Sequence, residues 1–179
     1  MTKSNMWPRF ILLLSIVLLA ACNKDPQTGP IDVHFDRDTC AHCRMVLSDP
    51  RFVAEIRYFP PGKKRSKVEK FDDVGCAVIW LQKQPFADDP KVEIWVADHR
   101  SKKWIDARTA IYVPMKSTPM EYGLGAQSDP AANGVDFAKA KLKIDEVEKR
   151  FNVHGLQLQD RLREQARQRA INKQGEISQ

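Results

Sequence analysis

The sequence predicts an α+β fold, because strand patterns and helix patterns occur together along one chain. Residues 52–59 and 67–71 are rich in β-branched and aromatic side chains, and residues 91–96 alternate between apolar and polar positions. Apolar residues spaced three or four apart follow Asp73 and again Val135, which predicts two amphipathic helices. We therefore expect a helix packed on a small sheet, further short strands and a C-terminal amphipathic helix.

The N-terminus predicts a lipoprotein signal peptide over residues 1–21. Lys3 and Arg9 supply positive charge ahead of an apolar run that is about half as long as a membrane-spanning helix. The run ends in Leu19-Ala20-Ala21-Cys22, a small-residue cleavage site followed by cysteine. We expect cleavage before this cysteine and lipidation of its thiol, which would anchor the chain to a membrane. The alternative is an ordinary signal peptide in which the cysteine is incidental.

The residues after the cleavage site divide into a tether and a series of short elements. Residues 22–30 contain two prolines and a glycine, which predicts a flexible, lipidated tether. An alternation of apolar and polar residues over 31–35 predicts a first strand. Two prolines and a glycine at 60–62 end the strand at 52–59. The basic run behind them predicts a solvated hairpin tip before the strand at 67–71.

The central helix and the later segments carry their own signals. Asp72 or Asp73 is predicted to cap the helix, since a carboxylate accepts hydrogen bonds from the free N–H groups of the first turn. Cys76 lies inside this helix and is predicted to be a small buried thiol rather than a ligand. A polar turn leads into residues 104–107, and a second, shorter strand-rich unit occupies residues 109–113. Residues 153–179 predict a charged helical or disordered tail.

The charge of the chain argues against nucleic acid as a partner. Removing Lys3 and Arg9 from the 29 lysines and arginines leaves 27 of them against 23 acidic residues. These charges are interspersed, and the sequence has no basic stripe with interleaved aromatic residues. We expect no nucleic-acid binding, whereas the mild positive charge is compatible with a nearby anionic membrane surface.

The densest group of reactive side chains is Asp38-Thr39-Cys40-Ala41-His42-Cys43-Arg44-Met45. Two thiols, an imidazole and a thioether lie so close in the chain that several soft donors can reach one small volume. Thiolate with thioether favours Cu(I), whereas oxygen ligands suit Mg or Ca and a Cys/His set suits zinc. Cys40 and Cys43 could instead form a disulfide, which would remove both as ligands. The residues alone therefore predict a copper site, with Cu(I) as the bound ion.

Five short motifs follow one another between residues 19 and 137. They are Leu19-Ala20-Ala21-Cys22, the segment 38–45, Phe71-Asp72-Asp73-Val74-Gly75-Cys76, Asp98-His99 with Trp104-Ile105-Asp106-Ala107, and Thr118-Pro119-Met120 with Tyr122-Gly123-Leu124-Gly125-Ala126. In this order they resemble the NosL family, the membrane-anchored accessory lipoproteins of nitrous-oxide reductase. The resemblance implies two small ββαβ-type units related to a domain of organomercurial lyase. They would cover residues 31–97 and 98–152.

The resemblance also implies which residues bind the metal. Cys43 and Met45 match the family's Cys-x-Met, and residues two apart in a strand-like segment face the same side, so both sulfurs can chelate one ion. Met120 matches the family's second copper-binding methionine. Cys40 is either a third sulfur ligand or the disulfide partner of Cys43. His99 is either a ligand in its neutral form or a turn residue held by hydrogen bonds.

Three further positions bear on this site. His42 lies between the two cysteines, where a strand would point it away from the other donors, so we expect it to face solvent. Family members commonly have glycine at the positions of Arg44 and Glu121. These replacements concern the geometry of the two loops rather than the identity of the metal donors.

The function that the resemblance implies is not enzymatic. NosL proteins are copper chaperones that bind Cu(I) and support assembly of the tetranuclear copper–sulfide centre of nitrous-oxide reductase. We therefore expect the reductase or its assembly machinery as a partner, with an unidentified copper donor. The expected location is the periplasmic side of a bacterial membrane. Asn23, in place of aspartate after the lipidated cysteine, favours the outer membrane over the inner.

Three other functions are open at this point. The Cys40-x-x-Cys43 spacing is compatible with an extracytoplasmic thiol–disulfide oxidoreductase, although it does not open a helix after a strand. An organomercurial-lyase-like activity would need paired thiols and a proton-delivering carboxylate, for which Asp38 is the candidate. A zinc-stabilised or disulfide-stapled interaction lipoprotein would need four ligands. They would be Cys40, Cys43, His42 and either Cys76 or His99.

Overall fold

The computed structural model describes residues 25–150 together with Arg163, Glu164, Arg167 and Arg169. It confirms the α+β class. The elements in chain order are β1 (Ala54–Tyr58), β2 (Lys67–Phe71), α1 (Val74–Gln82), β3 (Glu93–Ala97), β4 (Trp104–Asp106), β5 (Ile111–Pro114), β6 (Leu124–Gln127) and α2 (137–150). The predicted signal peptide, Cys22 and most of the predicted tail lie outside the described residues. Among the described helices, none has the length and apolar character needed to cross a bilayer.

Four strands form one antiparallel sheet in the order β2-β1-β3-β4. β1 and β2 form a hairpin, in which Tyr58 pairs with Lys67 at one end and Ala54 pairs with Phe71 at the other. We call the first end, where residues 60–66 join the two strands, the tip end. We call the second end, where β2 leads into α1, the far end.

One face of this sheet is apolar and packs against α1. Ile56 and Phe71 are fully buried on this face, as the alternation of side chains along a strand requires. Aromatic rings fill the space under the helix: the Tyr58 and Trp80 rings are 5.9 Å apart, and the Tyr58 and Phe86 rings stack at 4.2 Å. These contacts hold the C-terminal part of α1 near the tip end of the sheet. The helix starts at the far end, because it follows β2 directly.

Asp73 is the residue that caps α1. Its Oδ1 accepts a hydrogen bond from Gly75 N at 2.9 Å, which satisfies a free N–H group of the first turn. The sequence left Asp72 and Asp73 as equal candidates for the cap, and the structure assigns it to Asp73. The side chain of Asp72 is thereby available for other contacts.

The other face of the sheet is polar and is covered by the N-terminal segment, residues 25–38. Arg57 on β1 is buried there and donates from Nη1 to the Asp25 carboxylate at 2.9 Å. Glu55, two residues earlier on the same face, is buried as well and accepts a hydrogen bond from Ile31 N at 2.8 Å. Much of the stretch predicted to be a flexible tether therefore lies hydrogen-bonded on the sheet.

The strand predicted at residues 31–35 is wrong. The structure has no strand in this stretch, because side chains rather than a neighbouring strand bind its backbone. The Asp38 carboxylate accepts from His34 N at 2.8 Å, and Lys70 Nζ donates to Asp32 O at 2.6 Å. The alternation of apolar and polar residues here arises because the segment lies across the face of the sheet. It does not mark a strand within the sheet.

The second half of the described chain forms a two-stranded sheet, β5 paired with β6, and the helix α2. The sequence analysis predicted no strand at β6, which has a glycine and no β-branched residue. A parallel bridge between Asp98 and Ala126 joins β6 to the end of β3. α2 buries Ala140 and Ile144, which confirms its amphipathic character. The division into two ββαβ-type units stays a prediction. The pairing of β3 with β4 crosses the predicted boundary between residues 97 and 98.

Candidate metal centre

A tight hairpin over residues 39–46 carries the first two cysteines. An antiparallel bridge joins its ends, and Cys40 N donates to Met45 O at 2.8 Å. Arg44 in the turn has a φ of 68°, which lies in the left-handed region. The sequence analysis treated this segment as extended, and that assumption is wrong. Cys43 and Met45 do not share one face of a strand.

Four side chains from three parts of the chain meet at the far end of the sheet. They are Cys40 and Cys43 of the hairpin, Asp72 directly after β2, and Cys76 in the first turn of α1. Their ligand atoms all lie within 4.8 Å of one another. Ala41 N donates to a carbonyl of β2 at 2.8 Å, which holds the hairpin against the strand end. We call these four residues the thiol cluster.

The three cysteines of the thiol cluster are free thiols with pKa values shifted in opposite directions. A hydrogen bond from the Cys76 thiol, supported by one from Cys43 N, lowers the pKa of Cys40 to about 7. Burial raises the pKa of Cys43 to about 12. The hydrogen bond with Cys40, together with burial, raises the pKa of Cys76. Near neutral pH the cluster thus holds thiol protons that a bound cation would displace.

Asp72 has a buried carboxylate oxygen without a hydrogen-bond partner. Its Oδ2 accepts from the Cys43 thiol at 3.3 Å, whereas its Oδ1 has no partner among the described residues. A buried acceptor left unpaired costs on the order of 1–3 kcal/mol. A cation held between this carboxylate and the three sulfur atoms would satisfy the oxygen, so the donor set fits a metal ion.

The spacing of the donors fits a single ion as well. A metal–thiolate bond is about 2.3 Å long, so two sulfurs on one ion lie at most about 4.6 Å apart. The ligand atoms of the thiol cluster lie within 4.8 Å of one another, and small side-chain rotations are enough to close the remaining gap. Three sulfurs select a soft ion, and the carboxylate can complete a four-coordinate set.

A cavity of about 330 Å³ lies beside the thiol cluster. It is lined by His42, Cys43, Pro119, Met120, Glu121, Tyr122 and Glu148. Cys40 and Cys76 are fully buried, so Cys43 is the thiol that the cavity reaches. His42 was expected to face solvent, but it is half-buried in this wall, and burial lowers its pKa. A small ligand inside this cavity would lie against Cys43.

Met120 is held beside this cavity by the carboxylate that caps α1. Thr118 Oγ1 donates to Asp73 Oδ2 at 2.6 Å, and Met120 N lies 3.4 Å from the same oxygen. Glu121, the next residue, has a φ of 58° and turns the chain. Burial raises the pKa of Asp73 to about 6. One carboxylate therefore positions both the helix that carries Cys76 and the loop that carries Met120.

The predicted ligands lie in different places. Cys40 and Cys43 belong to the thiol cluster, and Met120 lines the cavity that reaches it. Met45 is 53% exposed. His99 lies in the turn after β3, where its Nε2 is 3.2 Å from a side-chain amide oxygen of β6. Neither Met45 nor His99 is a member of the thiol cluster.

Sequence reasoning missed Asp72 as a member of the site, and it considered Cys76 as a ligand only in the zinc alternative. Cys76 is buried as predicted, and it also faces the hairpin thiols. The signal that could have found this pair is its spacing, because residues four apart at the start of a helix lie on one face. The approach of the hairpin to that face depends on contacts between distant segments, which a local pattern does not reveal.

Comparison with known proteins agrees with the motifs. The family model for NosL matches residues 30–132, which is more than half of the chain. The matched region contains the whole thiol cluster and the loop with Met120. No curated protein matches the chain. From the extent of the family match, we conclude that the chain belongs to the NosL family.

Proposed function

We propose that this protein is a lipid-anchored metallochaperone that binds Cu(I) and delivers it for assembly of the copper–sulfide centre of nitrous-oxide reductase. The observation that carries the proposal is the thiol cluster, in which three free thiols and a buried carboxylate surround one small volume. Membership of the NosL family supports copper as the cargo, because the family's motifs imply that role.

Cu(I) is the ion that the thiol cluster suits best. Soft sulfur ligands select soft ions, and the cluster presents three of them. Zinc is the competitor, since it takes four tetrahedral ligands and the carboxylate of Asp72 could be the fourth. The zinc set considered from the sequence was Cys40, Cys43 and His42 with either Cys76 or His99, and neither histidine belongs to the cluster. Competition between the two ions therefore enters the test below.

Release of the ion needs an accessible side of the site. Cys43 provides it, because the cavity wall contains this thiol while Cys40 and Cys76 are buried. Met120 lines the same cavity. Its thioether has no ionisable proton and cannot form a disulfide. A soft ligand from a partner can enter there and bind the ion while the buried thiolates are still bound to it. The thiolates then dissociate one by one as the ion is transferred.

The partner and the location are parts of the same proposal. Lipidation of Cys22 would hold the domain on the periplasmic side of a bacterial membrane, within reach of the reductase or its assembly machinery. The lipobox supports the anchor, and the NosL match supports the partner. Transfer of copper from the loaded protein to the copper-free reductase, measured as gained reductase activity, tests delivery apart from binding.

A thiol–disulfide oxidoreductase is the alternative for Cys40 and Cys43. Such an enzyme needs an accessible thiol of low pKa, because the thiolate is the nucleophile. Here the pKa of Cys40 is lowered, but this side chain is fully buried. The more accessible Cys43 has a pKa raised to about 12. These properties favour ion binding over disulfide exchange.

Anaerobic titration of the reduced protein with Cu(I), against a chromogenic chelator, tests the metal site. We expect a single tightly bound equivalent that excess zinc does not displace. In Cys43→Ser and in Cys76→Ser the affinity should fall by more than about tenfold, because each change removes a thiolate from the ion. Met120→Leu should weaken binding less than either, since it alters the access route and keeps all three thiols.

Met115→Leu is the matched control. Its sulfur packs beside Gly125 in β6 rather than in the cavity wall, so its Cu(I) affinity should equal that of the unaltered protein. Circular dichroism of every variant separates loss of binding from loss of folding. Unchanged Cu(I) affinity in folded Cys43→Ser and Cys76→Ser would remove the thiol cluster from the function. Displacement of Cu(I) by stoichiometric zinc would favour the zinc alternative.

A further inference from the structure

The loop at the tip end of the sheet carries three adjacent positive charges. Lys63, Lys64 and Arg65 are consecutive and exposed, and no ion pair joins them to any described residue. We propose that this loop, residues 60–66, binds anionic phospholipid headgroups and so orients the domain on its membrane. The inference rests on the lipid anchor of the proposed function and goes beyond it.

The anchor would emerge close to this loop. Only Asn23 and Lys24 separate Cys22 from Asp25, whose carboxylate is bonded to buried Arg57. Three residues of extended chain span at most about 11 Å. Because Asp25 is bonded to the sheet, the linker between the lipid and the sheet is short. The end of the sheet that binds Asp25 must therefore stay near the membrane surface.

Hydrogen bonds place Asp25 at the tip end itself. Arg57 precedes the last residue of β1, and its Nη1 donates both to Asp25 and to Ser66 Oγ. Ser66 N in turn donates to Gln27 Oε1 at 2.7 Å. The residues that follow the anchor are thus fastened directly to the end of the basic loop, so anchor and loop face the bilayer together.

The thiol cluster lies at the opposite end of the same hairpin. β2 runs from Lys67 at the tip end to Phe71 at the far end, and Asp72 of the cluster follows directly. At about 3.3 Å per residue, this strand alone separates the loop from the cluster by about 13 Å. With the loop on the headgroups, the cluster and its cavity point away from the bilayer.

The chemistry of the loop suits a lipid surface. These three cations have no ion-pair partner among the described residues, so they lose no such pair when they meet anionic headgroups. Each cation near such a surface adds to the attraction. Pro60, Pro61 and Gly62 keep the loop short and protruding, with Gly62 at a φ of 72°. Attraction of this kind is screened within about 10 Å at 0.1 M salt, so the linker length decides whether it acts.

Protease protection of the lipidated full-length mature protein on vesicles tests this orientation. Trypsin cleavage after Lys63, Lys64 and Arg65 is compared on phosphatidylcholine vesicles with and without phosphatidylglycerol. The internal control is Lys102 with Lys103, an exposed basic pair in the turn at the far end of the sheet. Relative to this pair, cleavage of the loop should slow by about tenfold or more on the anionic vesicles. The difference should vanish at high salt.

A charge-reversed loop, Lys63→Glu with Lys64→Glu and Arg65→Glu, is the second arm, cut with a protease specific for glutamate. It should be cleaved equally on both vesicles, and Cu(I) binding should be unchanged. If the unaltered protein floats with both kinds of vesicle and its loop is cleaved equally on both, the proposed orientation is wrong. That outcome would not affect the proposed metal site. Failure to float with neutral vesicles overturns the anchor and this inference with it.

Discussion

Two residues in the loops around the metal centre adopt a backbone conformation that suits glycine. Arg44 has a φ of 68° and Glu121 a φ of 58°, and a side chain in this left-handed region crowds the following carbonyl. These are the two positions at which the resemblance to the NosL family led us to expect glycine. The chain thus keeps both turns without the residue that forms them most easily. Each turn precedes or follows a methionine predicted to bind copper.

Arg44→Gly should raise the free energy of unfolding by about 0.5–1 kcal/mol. Relief of the left-handed strain is worth about 1–2 kcal/mol, and the greater chain entropy of glycine in the unfolded state cancels part of it. Urea unfolding of the metal-free reduced protein measures the change. Arg44→Ala is the control, because it removes the charged side chain but keeps the Cβ atom, and it should gain little. A less stable glycine variant would contradict the strain argument.

The part of the metal centre that could be predicted is the part that is local in sequence. Cys40 and Cys43 stand together, so their spacing alone indicated a shared site. Asp72 and Cys76 belong to another hydrogen-bonded unit, and only the docking of the hairpin on the end of β2 brings them in. Met45 was linked to Cys43 by an assumed strand, and the turn at Arg44 replaces that strand.

At the scale of elements, the strands and helices with strong local signals were predicted well. β2 begins and ends where its alternation does, and α1 begins after the capping aspartate. The strand expected at residues 31–35 failed because Lys70 and Asp38 bind that backbone with their side chains. β6 was missed because its pairing with β5, rather than its own composition, makes it a strand.

Thr118→Val should destabilise the joint between α1 and the Met120 loop. The Thr118 hydroxyl donates at 2.6 Å to the buried Asp73 carboxylate, and removing this donor costs about 1–3 kcal/mol. Urea unfolding measures the loss. Cu(I) titration should show weaker binding as well if the loop controls access to Cys43.

Ser117→Ala is the matched control for that variant. It removes a neighbouring hydroxyl whose bond to Glu121 is exposed, so stability should change by less than about 0.5 kcal/mol. Equal stability losses in the two variants would indicate that the loop hydroxyls act through the unfolded chain rather than through the cap of α1.

At the scale of the whole molecule, a buried polar layer joins the N-terminal segment to the sheet. Glu55 and Arg57 are fully buried within it, and Glu93 accepts from Gly29 N at 2.7 Å. Such a layer can bind the segment only while its charges and hydrogen bonds are matched. Glu55 is the weak point, because its Oε1 has no partner among the described residues.

Glu55 should make the protein less stable as pH rises. Burial raises its pKa from 4.5 to about 7, so between these values the folded state keeps a proton that the unfolded state has lost. The contribution is complete below about pH 4.5 and is lost as pH rises through about 7. Glu55→Gln should therefore be more stable than the unaltered protein at pH 8, by about 3 kcal/mol.

Urea unfolding at pH 5 and pH 8 measures this difference. The glutamine variant should lose much of the stability change between the two pH values, and Asp73, with its own pKa raised to about 6, should account for part of the rest. Glu121→Gln, a change of an exposed carboxyl, should leave the pH dependence as it is. An unchanged slope in Glu55→Gln would show that this carboxyl ionises normally in the folded protein.

The thiol cluster draws its residues from three separate segments of the chain, so a bound ion would link those segments. An ion bound there would link the hairpin of residues 39–46, the junction after β2 and α1, and would thereby stabilise the folded state. Release of the ion would free the hairpin of residues 39–46 from the end of β2 and from α1. A partner could then distinguish the loaded and empty forms by the stiffness of this region.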